Sequence, residues 1–189
     1  KTFTPSNKDY SYTVPDLITF SEGVEQLLLI NPDNPSGNYI PKKDIITLLD
    51  HLQSTNKRLV LDESFVDFTE EGNQNSLIRS DILNRYNNLV LIKSISKSYG
   101  VPGLRLGVIA CGEEAVLKKI NAHLTIWNIN SFGEFFMQIF DKYQQEYELA
   151  CKKLAEERNR FYKELTALPQ LGVINSQSNY FLCQIHPPF

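Results

Sequence analysis

The sequence has little cysteine, and none of it sits in a motif. Cys111, Cys151 and Cys183 are far apart and odd in number, and no CxxC occurs. That argues against a disulfide framework and a zinc knuckle; free thiols in a reducing cytoplasm are expected instead. No apolar run approaches the roughly 20 residues that a membrane span requires. The longest, Leu27–Ile30 and Leu89–Ile92, are the size of strands, so no membrane partner is expected. No apolar segment follows Lys1, and no secretory leader is expected at this end. An excess of one charge is also missing, since 19 Lys and Arg against 22 Asp and Glu leave −3. A nucleic-acid-coating surface needs clustered excess cations, so no nucleic-acid partner is expected either. His51, His123 and His186 are isolated, without the spacing of metal ligands. Asn34-Pro35-Ser36 imitates a glycosylation acceptor, but its central proline disqualifies it. Repeats and low-complexity segments are absent.

What is present is ordinary globular material, 42% hydrophobic and 22% charged. The first twenty residues, polar and broken by Pro5 and Pro15, read as loop or edge structure. Gln26–Ile30 is a short, continuous apolar run, which suits a strand buried on both faces. Pro41 opens a helix reaching about Leu52, with Ile45, Ile46, Leu48, Leu49 and Leu52 on one side. Arg58–Leu61 is a second strand ending at Asp62, Leu77–Tyr86 a second helix, and Leu89–Ser94 a third strand. Alternating strands and helices predict a parallel sheet with crossover helices. Leu104–Cys111 is a fourth strand, and its short connection suits an antiparallel neighbour. Glu113–Ala122 and Ser131–Phe140 read as helices, and Gln144–Leu165 as one long charged helix. Pro169 and Gly172 end it, and Gly172–Ile174 and Tyr180–Ile185 read as two strands of a smaller layer.

In open parallel sheets, ligands bind beyond the carboxyl ends of the strands. Asn34 follows the first strand, Asp62 ends the second, and Ser94-Ile95-Ser96-Lys97 follows the third. Each alone has a plain structural reading: a turn, a helix cap, a surface charge. Together they place an amide, a carboxylate and a lysine on one rim. Gly100, Gly103 and Gly107 match neither GxGxxG nor GxxxxGK[ST], which excludes a nucleotide loop.

Asn31–Gly37 (NPDNPSG), Leu61–Phe65 (LDESF) and Ser94–Gly107 (SISKSYGVPGLRLG) resemble the fold-type I pyridoxal-phosphate (PLP) enzymes. More narrowly, the order is similar to the class I/II aminotransferases of the histidinol-phosphate aminotransferase and threonine-phosphate decarboxylase branch. Trp127–Ser131 and Asn175–Phe181 are similar to weaker signatures of that branch. The resemblance implies an α/β fold: part of the parallel sheet of the PLP-binding large domain, with crossover helices and one antiparallel strand. A long helix and the start of a small α+β domain follow. Residues 1–145 would belong to the large domain and 146–189 to the linking helix and the small domain. Lys97 would react with the cofactor aldehyde. Asp62 would support the ring nitrogen so that the ring acts as an electron sink. Asn34 would face the ring's 3-oxygen. Ser94, Ser96 and Arg105 would hold the phosphate. Phe65 stands where the family usually carries a tyrosine, and Asn179 would face the substrate.

The resemblance also implies a homodimer acting on a small amino-acid substrate. Family members are about twice as long. Their other half supplies a glycine turn for the phosphate, an aromatic stacked on the ring and the arginine for the substrate carboxylate. None of these has a match here, so the 189 residues read as a piece of a longer enzyme. Three readings stay open: an aminotransferase, a decarboxylase of a phosphorylated amino acid, and a non-catalytic fragment that self-associates through an uncovered sheet edge.

Overall fold

The apolar runs do form the central strands of the computed structural model, which describes residues 1–187. Strands β1 (Gln26–Ile30), β2 (Arg58–Asp62) and β3 (Leu89–Ser94) lie side by side and parallel. Strand β4 (Gly107–Cys111) adds to β3 antiparallel, so the spatial order is β1-β2-β3-β4. A two-stranded antiparallel sheet, Leu171–Val173 with Cys183–Ile185, stands apart.

Helices take the places between. The first, α1 (Val14–Ser21), corrects the expectation of a loop in the first twenty residues. Thr13 and Asp16 form a reciprocal capping box at its start, and Leu17 drives it into the core at 2% exposure. The Thr-x-x-Asp spacing was the available signal. Helix α2 (Lys42–Ser54) buries Ile45, Leu48, Leu49 and Leu52 completely, at i, i+3, i+4 and i+7. Each such burial is worth about 1.5–3 kcal/mol. Helix α3 is only Ser80–Arg85, shorter than the spacing predicts. Leu77 is drawn out of it because its N–H donates to the buried Glu63 carboxylate at 2.8 Å.

The four-residue α4 (Ile95–Ser98) follows β3, then α5 (Glu114–His123), α6 (Ser131–Ile139) and the long α7 (Gln144–Thr166). The small sheet is β5 (Leu171–Val173) and β6 (Cys183–Ile185). β6 begins later than expected because residues 175–180 are held in turns by Ser176, whose hydroxyl accepts from the Ser178 N–H at 3.0 Å. No helix among the described residues is long and apolar enough to cross a membrane.

The core lies on one face of the sheet. Leu27, Leu29, Leu59, Leu61, Leu89 and Leu91 point into it from the strands, against α1 and α2. β1 departs from the expectation of burial on both faces, since Leu28 is 65% exposed between its buried neighbours. β1 is an edge strand packed on one side, so its side chains alternate despite the continuous apolar sequence.

Candidate active site

The parallel register sets the strand ends level: Ile30 is opposite Asp62, and Asp62 is opposite Ile92. The three chain segments leaving this rim carry the candidate residues. After β1, the loop is pinned from within by Asn31, which is buried. Its Nδ2 donates to the Ile40 carbonyl at 2.9 Å, and its Oδ1 accepts from the Ile40 N–H at 2.8 Å. Asp33 accepts from the Ser36 N–H and hydroxyl, closing the turn. Asn34 is left exposed on the crest. Gly37 sits at φ +75°, and a Cβ there would come within 2.0 Å of the Ser176 hydroxyl. Only glycine allows the loop to dock on residues 175–180. Tyr180 completes that contact by donating from its hydroxyl to the Asp33 carbonyl at 2.8 Å.

At the end of β2, the Asp62 carboxylate accepts from the Ser64 N–H at 2.8 Å. The Ser64 hydroxyl accepts from the Ser94 N–H at 3.0 Å, tying the second strand end to the third. Phe65 is 7% exposed, with its ring edge-on to Tyr180 at 5.2 Å. The Lys97 ammonium lies over the same Phe65 ring, 4.4 Å from its centre. Lys97 is exposed and has no carboxylate partner among the described residues. Lys97, Phe65 and Tyr180 are thus brought together, with Asp33 and Asp62 close enough to act on the tyrosine. Burial, which outweighs a hydrogen bond with Ser178, pushes the Tyr180 hydroxyl above its ordinary pKa, and the two carboxylates add to it.

The turn after Lys97 is tied to Leu106 through Ser96. Ser96 is 2% exposed, and its hydroxyl donates to the Leu106 carbonyl at 3.2 Å while accepting from the Leu106 N–H at 2.8 Å. Through this pair of bonds it staples the lysine turn to the residue before β4. Ser94 is half-buried at the end of β3. Arg105 is exposed, without an ion pair among the described residues, and holds a left-handed backbone at φ +55°. A non-glycine residue there costs about 1–3 kcal/mol, the kind of strain that collects at functional sites. Asn179 lines a separate cavity against α7 with Arg158 and Phe161; its neighbour Tyr180 is the residue that reaches Phe65.

A second polar cluster, which the sequence did not single out, lies behind the rim. Lys93 and Asp67 form a nearly buried ion pair at 2.6 Å, and Tyr147 of α7 donates to the same Asp67 carboxylate. Tyr147 stacks on Tyr99 with ring centres 3.8 Å apart. Glu63, next to Asp62, is 1% exposed, accepts from Ser76 and Leu77, and is pushed above the usual carboxylate range by burial. These residues share no spacing in the chain, so nothing local announced them. Among the described residues, no cluster of His, Cys, Asp or Glu could hold a metal ion.

The family profile described as aminotransferase class I and II matches residues 3–188. The chain belongs to that family. Among its relatives, an L-serine phosphate decarboxylase of Sulfurospirillum multivorans is 31% identical over 94% of this chain and 46% of its own length. The solved histidinol-phosphate aminotransferase of Clostridium acetobutylicum superposes with a TM-score of 0.85 at 26% identity, over 97% of this chain and 55% of that one. The histidinol-phosphate aminotransferase of Sinorhizobium meliloti, solved with pyridoxal-5'-phosphate, shares the fold at 21% identity with a TM-score of 0.80, over 98% of this chain and 49% of that one. The chain therefore spans about half the length of these family members. As in those enzymes, its sheet is parallel with one antiparallel strand, followed by a long helix. The rim of this aminotransferase-family chain also fits the family's cofactor chemically. It carries a lysine and an arginine without ion pairs among the described residues, and the Asp62 carboxylate.

Proposed function

We propose that this chain is the lysine-bearing part of a PLP-dependent aminotransferase, which moves an amino group between an amino acid or amino phosphate and a 2-oxo acid. One observation carries the reading: Lys97 stands over Phe65 without a carboxylate partner among the described residues, on the same strand-end rim as Asp62. When bound, PLP supplies an aldehyde for a lysine amine and a ring that accepts electron density. Lys97 would hold the cofactor and move a proton at the substrate α-carbon. Asp62 would pair with the ring nitrogen through the carboxylate oxygen not engaged by Ser64. Asn34 would donate its amide N–H to the ring 3-oxygen. Ser94, Ser96 and Arg105 would bind the phosphate, and Phe65 would form an apolar wall that excludes water. Asn179 would face the substrate. Residues 1–145 form part of the large domain, and 146–189 lead into the small one.

The decarboxylase relative favours a second reading on the same residues, decarboxylation of a phosphorylated amino acid. The reading further includes a homodimer acting in the cytoplasm on a small amino-acid substrate. Its support is a band of uncovered apolar side chains on and before α6, with Ile126 and Trp127 at 91% exposure and Phe132 at 78%, and three unpaired cysteines. The test is labelling. Borohydride reduction of the chain mixed with PLP, followed by peptide mapping, should place the pyridoxyl group chiefly on Lys97. Equal labelling of the other exposed lysines would overturn the assignment.

A further inference from the structure

Tyr180 touches two parts of the rim at once. Its hydroxyl donates to the Asp33 carbonyl at 2.8 Å. The same carbonyl accepts from the Gly37 N–H at 2.8 Å, so both of its lone pairs are engaged. Asn34 is the next residue of that loop. The Tyr180 ring stands perpendicular to Phe65, at 88° with the centres 5.2 Å apart. Phe65 in turn carries the Lys97 ammonium 4.4 Å above its centre.

The direction of Tyr180 is set by the segment before it. The Gln177 N–H donates to the Gly37 carbonyl at 2.9 Å, and the Gln177 Oε1 accepts from the Glu70 N–H at 3.1 Å. Ser176 and Ser178 are buried, and Arg158 donates to the Ser178 carbonyl. The segment is thus held to the loops after β1 and β2 before Tyr180 begins. Phe65 has a second aromatic neighbour, Phe68, tilted at 40° with the centres 6.4 Å apart. Of the two, Tyr180 alone has a hydroxyl to anchor it. A perpendicular partner fixes the plane of a ring, and the face of the ring is what attracts an ammonium. Asn179 is exposed, and its side-chain hydrogen bond among the described residues is with the Ser178 hydroxyl at 3.5 Å.

We propose that Tyr180 is a positioning residue for Lys97. Its ring sets the plane of Phe65 and so the seat of the ammonium. Its hydroxyl holds the Asp33 carbonyl, and with it the loop that carries Asn34, at a fixed reach from that seat. What the lysine is positioned to do rests on the PLP reading, whereas the positioning is a property of the chain without cofactor.

Reductive methylation of the 189-residue chain with carbon-13 formaldehyde tests it, because it keeps the lysine charges and gives each lysine an NMR signal. Lys97→Arg assigns the signal of Lys97. The Phe65 ring current should displace that signal upfield, and Phe65→Leu should abolish the displacement. Tyr180→Leu should remove most of it. Tyr180→Phe keeps the ring and should preserve it, but should speed amide exchange at Gly37 about tenfold by loosening the loop. A Tyr180 that only adds stability would lower the melting temperature of both variants without moving the Lys97 signal, and that result would overturn the proposal. So would an undisplaced Lys97 signal in the unaltered chain, or unchanged Gly37 exchange in Tyr180→Phe. The last variant removes a single oxygen, so this arm stands even where Tyr180→Leu does not fold. Borohydride labelling with PLP separates the two readings. Tyr180→Leu should lose the preference for Lys97, and an unaltered chain without that preference would end the PLP reading while the NMR arms still decide the positioning.

Discussion

At Lys97 the fold presents an exposed ammonium that lies over Phe65 at 4.4 Å and pairs with no acid among the described residues. Lys97→Ala should therefore change folding stability by less than about 0.5 kcal/mol, as surface substitutions do. In the full-length enzyme the same change should abolish turnover. Urea denaturation and a transamination assay check the two halves of that expectation, and wild-type-like turnover would end the assignment. Glu63 is the opposite case, a carboxylate that burial makes hard to ionise. Its folded pKa lies above the ordinary 4.5, so the folded state binds its proton more tightly than the unfolded state does. Stability from this group is then full below about pH 4.5 and is lost as pH rises toward the folded value. Carboxylates with lowered pKa, such as Asp16 and Asp81, act in the other direction at lower pH. The informative quantity is the difference between the unaltered chain and Glu63→Gln. In urea titrations from pH 4.5 to 7, stability relative to the Gln variant should fall as pH rises; a flat or rising difference would contradict it.

Among the elements, the turn after β1 depends on one amide. Asn31 satisfies both backbone groups of Ile40 and is 4% exposed. Asn31→Ala leaves a buried N–H and a buried carbonyl without partners, and should cost about 1–3 kcal/mol for each. The shift in urea midpoint measures it, and a change below half a kilocalorie would show the loop held by Ser176 and Tyr180 alone. The strands were legible in the chain because apolar runs of five or six residues admit few other readings. Helix ends were less so. α3 was overestimated because the hydrogen bond from Leu77 to Glu63 joins residues fourteen apart. The contact of Ser96 with Leu106 was hidden for the same reason, since the two lie ten residues apart. α1, by contrast, had its signal in Thr13 and Asp16, a local capping box that the prolines obscured.

For the whole molecule, the uncovered surface is the main feature. Trp127 is the only tryptophan and is 91% exposed, among Ile126, Phe132 and Phe135. Large apolar side chains left uncovered in this way favour association. Dilute chain should therefore show red-shifted tryptophan fluorescence that iodide quenches. Raising the concentration should blue-shift it as copies associate, and Phe132→Asp should delay that shift. Emission independent of concentration would leave the band without a partner in its own chain. The isolated chain should show no transaminase turnover with PLP added. It spans about half of its relatives' length, and the loss of substrate-positioning groups removes several kcal/mol of barrier lowering. Steady turnover of an amino-acid and keto-acid pair would refute this.

Family membership and the order Asn34, Asp62, Lys97 were readable in the chain because each residue sits in a short segment next to a strand end. Local spacing is enough to place a residue on the rim. It does not say which side chain meets which. Tyr180 reaches Phe65 from more than one hundred residues away, and Tyr147 reaches Asp67 across eighty. Arg158 is buried only because α7, the turn at Phe68 and the segment at Ser178 close around it. Hydrogen-bond donors and burial depend on distance in space, and only the packed chain sets those distances between residues remote in sequence.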